Sequence, residues 1–190
     1  MGDLGRGRKP AARPESRHAL VLGDVTFRPA RPDEAEALAQ LHVAAWRDAH
    51  AALAPTEATK KLGVASRLPV WRGYLADPAQ TVLVAEQNGA LGGLVCFGPA
   101  SQRELGEQAE IKHLYVAASA RQLGLGKALL DAALTQVAKD GYSKATLAVV
   151  AENTAARGFY RACGGQEVGT FVDAGPLWKS SNVIVEWNIG

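Results

Sequence analysis

The chain has 190 residues and a net charge of +2, and 47% of its residues are hydrophobic. This composition is typical of a soluble globular domain, and no apolar run approaches the ~20 residues that cross a bilayer, which excludes a membrane-spanning protein. Cys96 and Cys163 are too few for a disulfide framework and favour a reducing, cytoplasmic compartment. The histidines are too scattered for a zinc site, so we expect no metal.

The N-terminal segment differs in composition from the rest of the chain. Residues 1–22 are rich in Gly, Pro, Arg and Ala and carry a net charge of +3, which leaves −1 for the remainder. Because they show neither a helical nor a strand period, we expect a disordered basic tail before one domain over residues 23–190. A tail that binds nucleic acid is the weaker alternative, because the domain itself has no basic field.

The first part of the domain combines one strand with helices. Residues 25–28 predict a short strand. From Asp33 onward, apolar side chains recur at helical spacing on one face, which predicts an amphipathic helix. Residues 56–75 have a helical pattern that Gly63 and Pro69 interrupt, so we expect two short helices there.

Three strands follow in the sequence. Residues 81–85 and 91–97 flank Asn88-Gly89, which is a strong signal for a two-residue hairpin turn. After a polar loop, residues 110–116 predict a further strand. In a regular strand, one face carries Ile111, His113 and Tyr115, and the other carries Lys112, Leu114 and Val116.

The second half of the domain changes to a pattern of alternating helices and strands. Residues 126–137 carry an apolar helical stripe, and residues 145–150 are an uninterrupted apolar run, as in a strand covered on both faces. Residues 156–163 predict a short helix. Residues 168–172 and 183–187 are the last two strands.

A glycine-rich turn joins the strand over 110–116 to the following helix. It reads Arg121-Gln122-Leu123-Gly124-Leu125-Gly126, and Lys127 follows. Glycines permit close backbone approach and left-handed angles, and a helix N-terminus offers unpartnered N–H groups, so this turn could hold a phosphate or pyrophosphate. An ordinary tight turn is the alternative. The spacing fits neither a Walker loop nor a dinucleotide-binding fingerprint.

The order of motifs resembles one known family. The segment EIKHLYVAASARQLGLGKALL is similar to the acetyl-coenzyme A motif of the GCN5-related N-acetyltransferase (GNAT) superfamily, and NTAARGFYRACGG is similar to its second motif. The resemblance implies an α+β fold, an α/β/α sandwich. Its mixed, mostly antiparallel, splayed central sheet would have about six to seven strands flanked by about four helices. It also implies an N-acetyltransferase that moves acetyl from acetyl-CoA to a primary amine, by direct attack through a tetrahedral intermediate.

The resemblance also implies the residues of the site. Acetyl-CoA would be bound by Leu114, Tyr115, Val116, Arg121, Gln122, Leu123, Gly124, Leu125, Gly126, Lys127, Asn153 and Tyr160. Tyr160 would be the general acid and Glu110 the general base. Asn153 has a second interpretation as a helix N-cap, and Glu110 one as an exposed carboxylate paired with Lys112. His113, or a chain of waters, is the alternative base.

The sequence departs from the family pattern at two positions. Gly165 stands where the family commonly has Phe, which we expect to alter packing, and Ala148 stands where some members carry an acidic base. A CoA-binding sensor or interaction module without turnover is therefore an alternative function. Many members are homodimers, so a homodimer is one assembly that the resemblance allows.

The amine acceptor is the least determined part of the function. A small-molecule or peptide amine would be bound by a pocket for which the candidates are Trp46, His50, Trp71, Tyr74 and Trp178. Asp48, beside His50, is also a candidate for binding it. No acidic cluster indicates a polyamine or aminoglycoside, and no residue stands out as one that would bind a peptide carboxylate.

Overall fold

The computed structural model describes residues 25–189. The predicted tail over residues 1–22 and the predicted start of the domain at residue 23 lie outside the described residues. Within the described part, no helix is both long and apolar enough to cross a bilayer. The same part holds no group of three or more His, Cys, Asp or Glu side chains placed to bind a metal ion.

Seven strands form one sheet: β1 (Val25–Pro29), β2 (Thr81–Gln87), β3 (Ala90–Pro99), β4 (Ala109–Val116), β5 (Lys144–Val150), β6 (Gln166–Asp173) and β7 (Ser180–Asn188). Their order is β1-β2-β3-β4-β5-β7-β6, and every neighbouring pair is antiparallel except β4 and β5. The predicted mixed, mostly antiparallel sheet is confirmed. Asn88 and Gly89 both have positive φ, as the predicted turn between β2 and β3 requires.

Five helices cover the two faces: α1 (Ala35–His50), α2 (Thr56–Lys61), α3 (Val64–Ala76), α4 (Leu125–Lys139) and α5 (Thr154–Ala162). α1 and α3 pack against β2 and β3 on one face, and α4 and α5 pack on the other. The predicted α/β/α sandwich is confirmed, with one helix more than the four expected.

The two short helices predicted over residues 56–75 are α2 and α3. Leu62 and Gly63 separate them, whereas Pro69 lies inside α3 and does not end it. A proline removes one helical hydrogen bond. Here the loss falls in the second turn of a helix that the fully buried side chain of Trp71 fixes to the core.

β4 contains a bulge, which the family resemblance implies but which residues 110–116 do not show by themselves. His113 pairs with Cys96 and Ile111 pairs with Phe97, so Lys112 is an extra residue without a partner on β3. Such a bulge reverses the alternation of side chains. The prediction that Ile111 shares a face with His113 and Tyr115 is therefore wrong: Ile111 joins Leu114 in the core beneath α4.

β4 and β5 separate almost as soon as they pair. Their parallel ladder contains only the pairs Ala109–Ala145 and Glu110–Thr146. β5 nevertheless stays paired with β7 along its whole length. The splayed sheet implied by the family resemblance is thus present, and a wedge-shaped gap opens between the C-terminal halves of β4 and β5.

Gly165 shows why a larger side chain is absent at this position. A Cβ built there would lie 2.6 Å from Val185 Cγ1 and 2.8 Å from Trp187 Cζ2. Trp187 is buried, and its indole N–H donates to the Cys163 carbonyl at 3.0 Å. The Trp187 ring therefore occupies the space that a side chain at position 165 would need.

We expect Gly165→Ala to lower the free energy of unfolding by about 1–3 kcal/mol, because overpacking a close-packed core forces side chains or backbone to shift. Denaturant titration checks this value. Gly73→Ala is the matched control, since Gly73 lies in α3 with open space around its Cβ position, and it should stabilise the protein slightly. A Gly165→Ala variant as stable as the parent would contradict the packing assignment.

Candidate active site

A cleft of about 460 Å³ lies where β4 and β5 separate. It is walled by α1 and α3, by both strands, by the start of α5 and by the loop after β6. Of the predicted site residues, this cleft brings together Glu110, Leu114, Tyr115, Asn153 and Tyr160. Val116, the last residue of β4, and residues 121–127, which lead into the first turn of α4, do not line it.

The backbone of β4 is exposed toward the gap at two predicted positions. The Ala117 N–H donates to the Gly92 carbonyl on β3 at 2.9 Å. Because successive backbone groups of a strand point to opposite edges, this bond directs the N–H groups of Leu114 and Val116 away from β3. They face the gap, where β5 is too far away to pair with them.

The glycine-rich turn forms the N-terminus of α4. Gly124 is the N-cap residue with φ +79°, and Gln122 also has a positive φ of 63°. No side chain caps the helix, and the first intrahelical bond runs from Ala128 to Gly124. The N–H groups of residues 125–127 therefore have no intrahelical partners, as expected for an anion-binding helix N-terminus.

Gly126 does not have the left-handed backbone that its place in the turn suggested. It lies inside α4 without a positive φ, and a Cβ there would meet Val116 Cγ2 and Phe159 Cζ at 3.5 Å. The expectation that it supplies a left-handed angle is wrong, because the helix has already begun at Leu125. A Cβ at this position would make only ordinary van der Waals contact with these two side chains.

The other side chains of the turn are already engaged or turned away. Arg121 donates to Asp48 Oδ2 at 3.2 Å and Lys127 to Asp131 Oδ2 at 2.6 Å. Leu125 is buried in the core, whereas Leu123 is 56% exposed. An anion bound at this turn would meet backbone N–H groups first, and the two cations would have to leave carboxylate partners to reach it.

Tyr160 lies on the inner face of α5 and lines the cleft. Its ring contacts Phe159 and Trp187 at centroid distances of 5.2 and 5.9 Å. Burial raises the pKa of Tyr160 to about 12, and Cys163 adds to that rise. The phenol therefore keeps its proton throughout the neutral range and can donate it.

Asn153 is the N-cap of α5 and also lines the cleft. Its Oδ1 accepts from the Ala156 N–H at 3.0 Å, which confirms the helix N-cap. The residue also lines the cleft. The N-cap bond uses the side-chain oxygen and leaves the amide NH₂ group available to a ligand.

Glu110 is paired with Lys112, as one of its two interpretations expected. Its Oε2 accepts from Lys112 Nζ at 2.7 Å and from the backbone and hydroxyl of Ser101 at 2.8 and 2.7 Å. The expected exposure is wrong: Glu110 is 7% exposed, because the loop that carries Ser101 covers it. Its other oxygen, Oε1, makes no hydrogen bond to any residue in the described range 25–189.

His113 lies in the same cleft as Glu110, contrary to the expectation for a regular strand. The bulge at Lys112 turns it to that side. Burial lowers the pKa of His113 to about 4 and, with His113 and Arg67 nearby, that of His42 to about 2. Both rings are neutral, and His42 Nδ1 and His113 Nε2 are buried without a partner in the described part of the chain.

Aromatic side chains form the wall of the cleft on the α1 side. Trp46 stacks on His50 at a centroid distance of 4.6 Å and meets Trp178 edge-on at 5.4 Å. With Tyr74, these three are the predicted pocket candidates that line the cleft. Trp71 does not line it: its side chain is fully buried in the core beneath them.

Several lining residues were missed by the sequence analysis: His42, Arg67, Ser101, Lys112 and Asp173. His42 was placed on the apolar face of α1 by its spacing alone. The sequence does not indicate that Arg67 lines the cleft, because its place there depends on how α3 packs against α1.

Comparison with known proteins identifies relatives of the chain. Residues 36–164 match the model of the acetyltransferase (GNAT) family. The chain is 25% identical over 130 residues to the uncharacterised N-acetyltransferase YuaI of Bacillus subtilis, spanning 68% of this chain and 73% of that protein. It is 30% identical over 101 residues to N-acetyltransferase family 8 member 3 of Rattus norvegicus, spanning 53% of this chain and 44% of that protein.

Solved structures share the fold. The PaiA N-acetyltransferase of Thermoplasma acidophilum, in complex with coenzyme A, superposes with a TM-score of 0.67 at 19% identity, covering 87% of this chain and 99% of that one. YncA of Salmonella typhimurium, with its cofactor acetyl-CoA, gives a TM-score of 0.67 at 18% identity, covering 88% and 95%.

Proposed function

Because this chain belongs to the acetyltransferase (GNAT) family, we propose that it transfers the acetyl group of acetyl-CoA to a primary amine in the cleft between β4 and β5. The observation that carries the proposal is the gap itself. It exposes unpaired backbone N–H groups of β4 beside a neutral tyrosine, and the helix N-terminus of the glycine-rich turn follows β4 directly.

Acetyl-CoA would extend from the turn into the gap. The pyrophosphate would bind the N–H groups at the start of α4, with Arg121 and Lys127 as flanking cations. The pantetheine arm would run along β4 beside Leu114, Tyr115 and Val116. Two structures of the same fold, one in complex with coenzyme A and one with acetyl-CoA, support this choice of donor. Two free cysteines fit the reducing cytoplasm in which such an enzyme would act.

Acyl transfer proceeds here by direct attack. The amine nitrogen forms a bond to the thioester carbonyl carbon, and the carbonyl oxygen becomes an oxyanion that the Leu114 or Val116 N–H stabilises. The C–S bond then breaks, and the thiolate takes a proton from the Tyr160 hydroxyl. The proton that the nitrogen loses passes to a base, and an amide and free CoA result.

Glu110 is our choice for that base. It lies in the cleft with Oε2 fixed by Lys112 and Ser101, which leaves Oε1 to accept a proton from the amine or from a water. His113 is the alternative on the same side, since its unpartnered Nε2 is neutral. The two candidates differ in what their removal does to the pH dependence.

With Glu110 as the base, we expect Glu110→Gln to shift or remove the acidic limb of the pH–rate profile, because that limb reports a group that must be deprotonated. The amine's own ionisation, with a pKa of about 10 for an alkylamine, also produces a rising limb. The profiles of both enzymes must therefore be measured with one acceptor and repeated with a second amine of lower pKa. Identical limbs with both acceptors would remove Glu110 and leave His113 or a water chain.

The proposed activity is tested by following thiol release from acetyl-CoA with a panel of amines that includes amino acids, polyamines and lysine-containing peptides. We expect release to depend on the amine and to match the amount of N-acetylated product found by mass spectrometry. Binding of acetyl-CoA without turnover of any amine would instead favour the sensor interpretation.

A further inference from the structure

Arg67 is a cation inside the cleft without an ionic partner. Four other arginines in the described range 25–189, Arg28, Arg31, Arg121 and Arg157, each form salt bridges with carboxylates. Arg47 donates to the Leu62 carbonyl, and Arg72, Arg103 and Arg161 are exposed. Within that range Arg67 alone is partly buried with no hydrogen bond from its guanidinium, and its Nε is fully buried and unpaired.

The surroundings of Arg67 do not neutralise it. Arg67 lines the same cleft as His42, His113, Tyr74 and Tyr115. Burial lowers the pKa values of the two histidines, and the positive charge of Arg67 lowers them further. Burial raises the pKa values of the two tyrosines, and the charge of Arg67 only partly offsets that rise. Both imidazoles are neutral, and both phenols keep their protons. Glu110 acts on Tyr74 and His113 as well, but the Lys112 ammonium at 2.7 Å already balances its charge.

The other cleft carboxylate belongs to a different wall. Asp173 accepts from the Gly175 N–H at 2.8 Å, in the loop after β6, and forms no salt bridge with Arg67. A buried polar group without a partner is costly, and Arg67 Nε is such a group among the described residues 25–189. The cleft therefore offers a bound molecule a positive charge and N–H donors that no residue in that range engages.

We propose that the acceptor is a small amine bearing a free carboxylate, of the size and shape of an amino acid, and that Arg67 binds this carboxylate. This inference rests on the proposed acetyltransferase function. A guanidinium matches a carboxylate through two parallel hydrogen bonds, which fix the orientation of the acceptor. The carboxylate would sit on the α3 wall, which directs the amine toward β4.

The rest of the cleft fits such a molecule. Its volume of about 460 Å³ must also hold the acetyl end of the donor, so the acceptor is small. The wall formed by Trp46, His50 and Trp178 is aromatic and offers a face for an apolar or aromatic side chain. Arg67 is thus a specificity-determining residue that binds the substrate and takes no part in the bond changes.

The test compares matched acceptors. The kcat/KM values for L-phenylalanine, L-tryptophan, L-leucine and L-methionine are each divided by that of the corresponding carboxamide. The amines of the free acids and of the carboxamides differ in reactivity. This difference is the same for every enzyme, so it cancels when the ratio of a variant is divided by the ratio of the parent enzyme. We expect Arg67→Gln to lower the ratio about ten- to a hundredfold, the range for hydrogen bonds to a charged group, mainly through KM for the free acids.

Two further variants keep the test decisive. Arg72→Gln removes an exposed arginine from the same helix and should leave the ratio unchanged. Arg67→Lys keeps the charge without the fork and should give an intermediate ratio, which covers the case in which Arg67→Gln does not fold.

Three results would overturn the inference. The first is an acid-to-carboxamide ratio of kcat/KM that is the same in Arg67→Gln as in the parent enzyme. The second is a substitution that lowers kcat/KM equally for acids and carboxamides, and the third is that the parent enzyme acetylates no free amino acid. If polyamines or lysine-containing peptides are acetylated in the last case, the proposed acetyltransferase function stands and only the acceptor class fails.

Discussion

Replacing Gly124 with valine should abolish the binding of acetyl-CoA. Gly124 has φ +79°, a left-handed conformation that a β-branched residue adopts only with strain. As the N-cap of α4, it sets the direction of the three unpartnered N–H groups that follow it. The substitution would reorient these donors and place a side chain where the pyrophosphate approaches. Isothermal titration calorimetry should detect no binding at concentrations that saturate the parent protein.

Gly141 supplies the matched control for this experiment. It also has a positive φ, of 89°, but lies beyond the C-terminal end of α4, with open space around its Cβ position. Gly141→Val should cost stability and leave the affinity for acetyl-CoA nearly unchanged. Gly126→Ala should also bind, because its Cβ would meet its neighbours only at ordinary contact distance. Near-normal affinity in Gly124→Val would contradict the pyrophosphate assignment.

Tyr160→Phe should lower kcat by about ten- to several-hundredfold, in the lower part of the range for general acids. Phenylalanine keeps the ring contacts with Phe159 and Trp187 and removes only the proton donor. The affinity for acetyl-CoA and the melting temperature should change little. Because burial raises the pKa of Tyr160 to about 12, its ionisation should produce no basic limb in the pH–rate profile near neutrality.

Tyr142→Phe is the control for the loss of a hydroxyl elsewhere, since Tyr142 packs at the edge of the core and does not line the cleft. It should retain full activity. If Tyr160→Phe turns over a good acceptor at the parental rate, Tyr160 is a packing residue. If it loses stability instead, its hydroxyl has a structural role.

Most of the helices and strands could be predicted because each follows from a pattern of residues that are close together in the sequence. The Asn88-Gly89 turn, the apolar stripe of α4 and the apolar run of β5 each depend on neighbouring residues only. The motifs over residues 110–165 then placed these elements in one known arrangement. The interruption at Gly63 between α2 and α3 was also predictable, because glycine disfavours a helix whatever its surroundings.

The family resemblance implies a bulge in this strand, but its position at Lys112 could not be predicted from the local pattern of residues. Residues 110–116 read as a regular strand, and the extra residue is visible only in the pairing of β4 with β3. Its consequence reaches the site, because it brings His113 to the side of Glu110. The burial of Glu110 was missed for a similar reason: Ser101, nine residues earlier, covers it through a loop whose path depends on the whole sheet.

Arg67 shows where local patterns fail most clearly. No residue that binds a carboxylate could be identified from the sequence, because the charge of Arg67 does not distinguish it from the neighbouring Arg72. The difference between them is tertiary. The packing of α3 against α1 brings Arg67 to the wall of the cleft that His42, Tyr74, His113 and Tyr115 also line, while Arg72 is exposed.

The most direct test of the account is a crystal structure of the protein with acetyl-CoA. We expect the pyrophosphate within hydrogen-bonding distance of the N–H groups of residues 125–127. We also expect the thioester between β4 and β5, with its carbonyl oxygen on the N–H of Leu114 or Val116 and its sulfur beside the Tyr160 hydroxyl. Acetyl-CoA bound elsewhere, or a thioester outside the gap, would contradict the account.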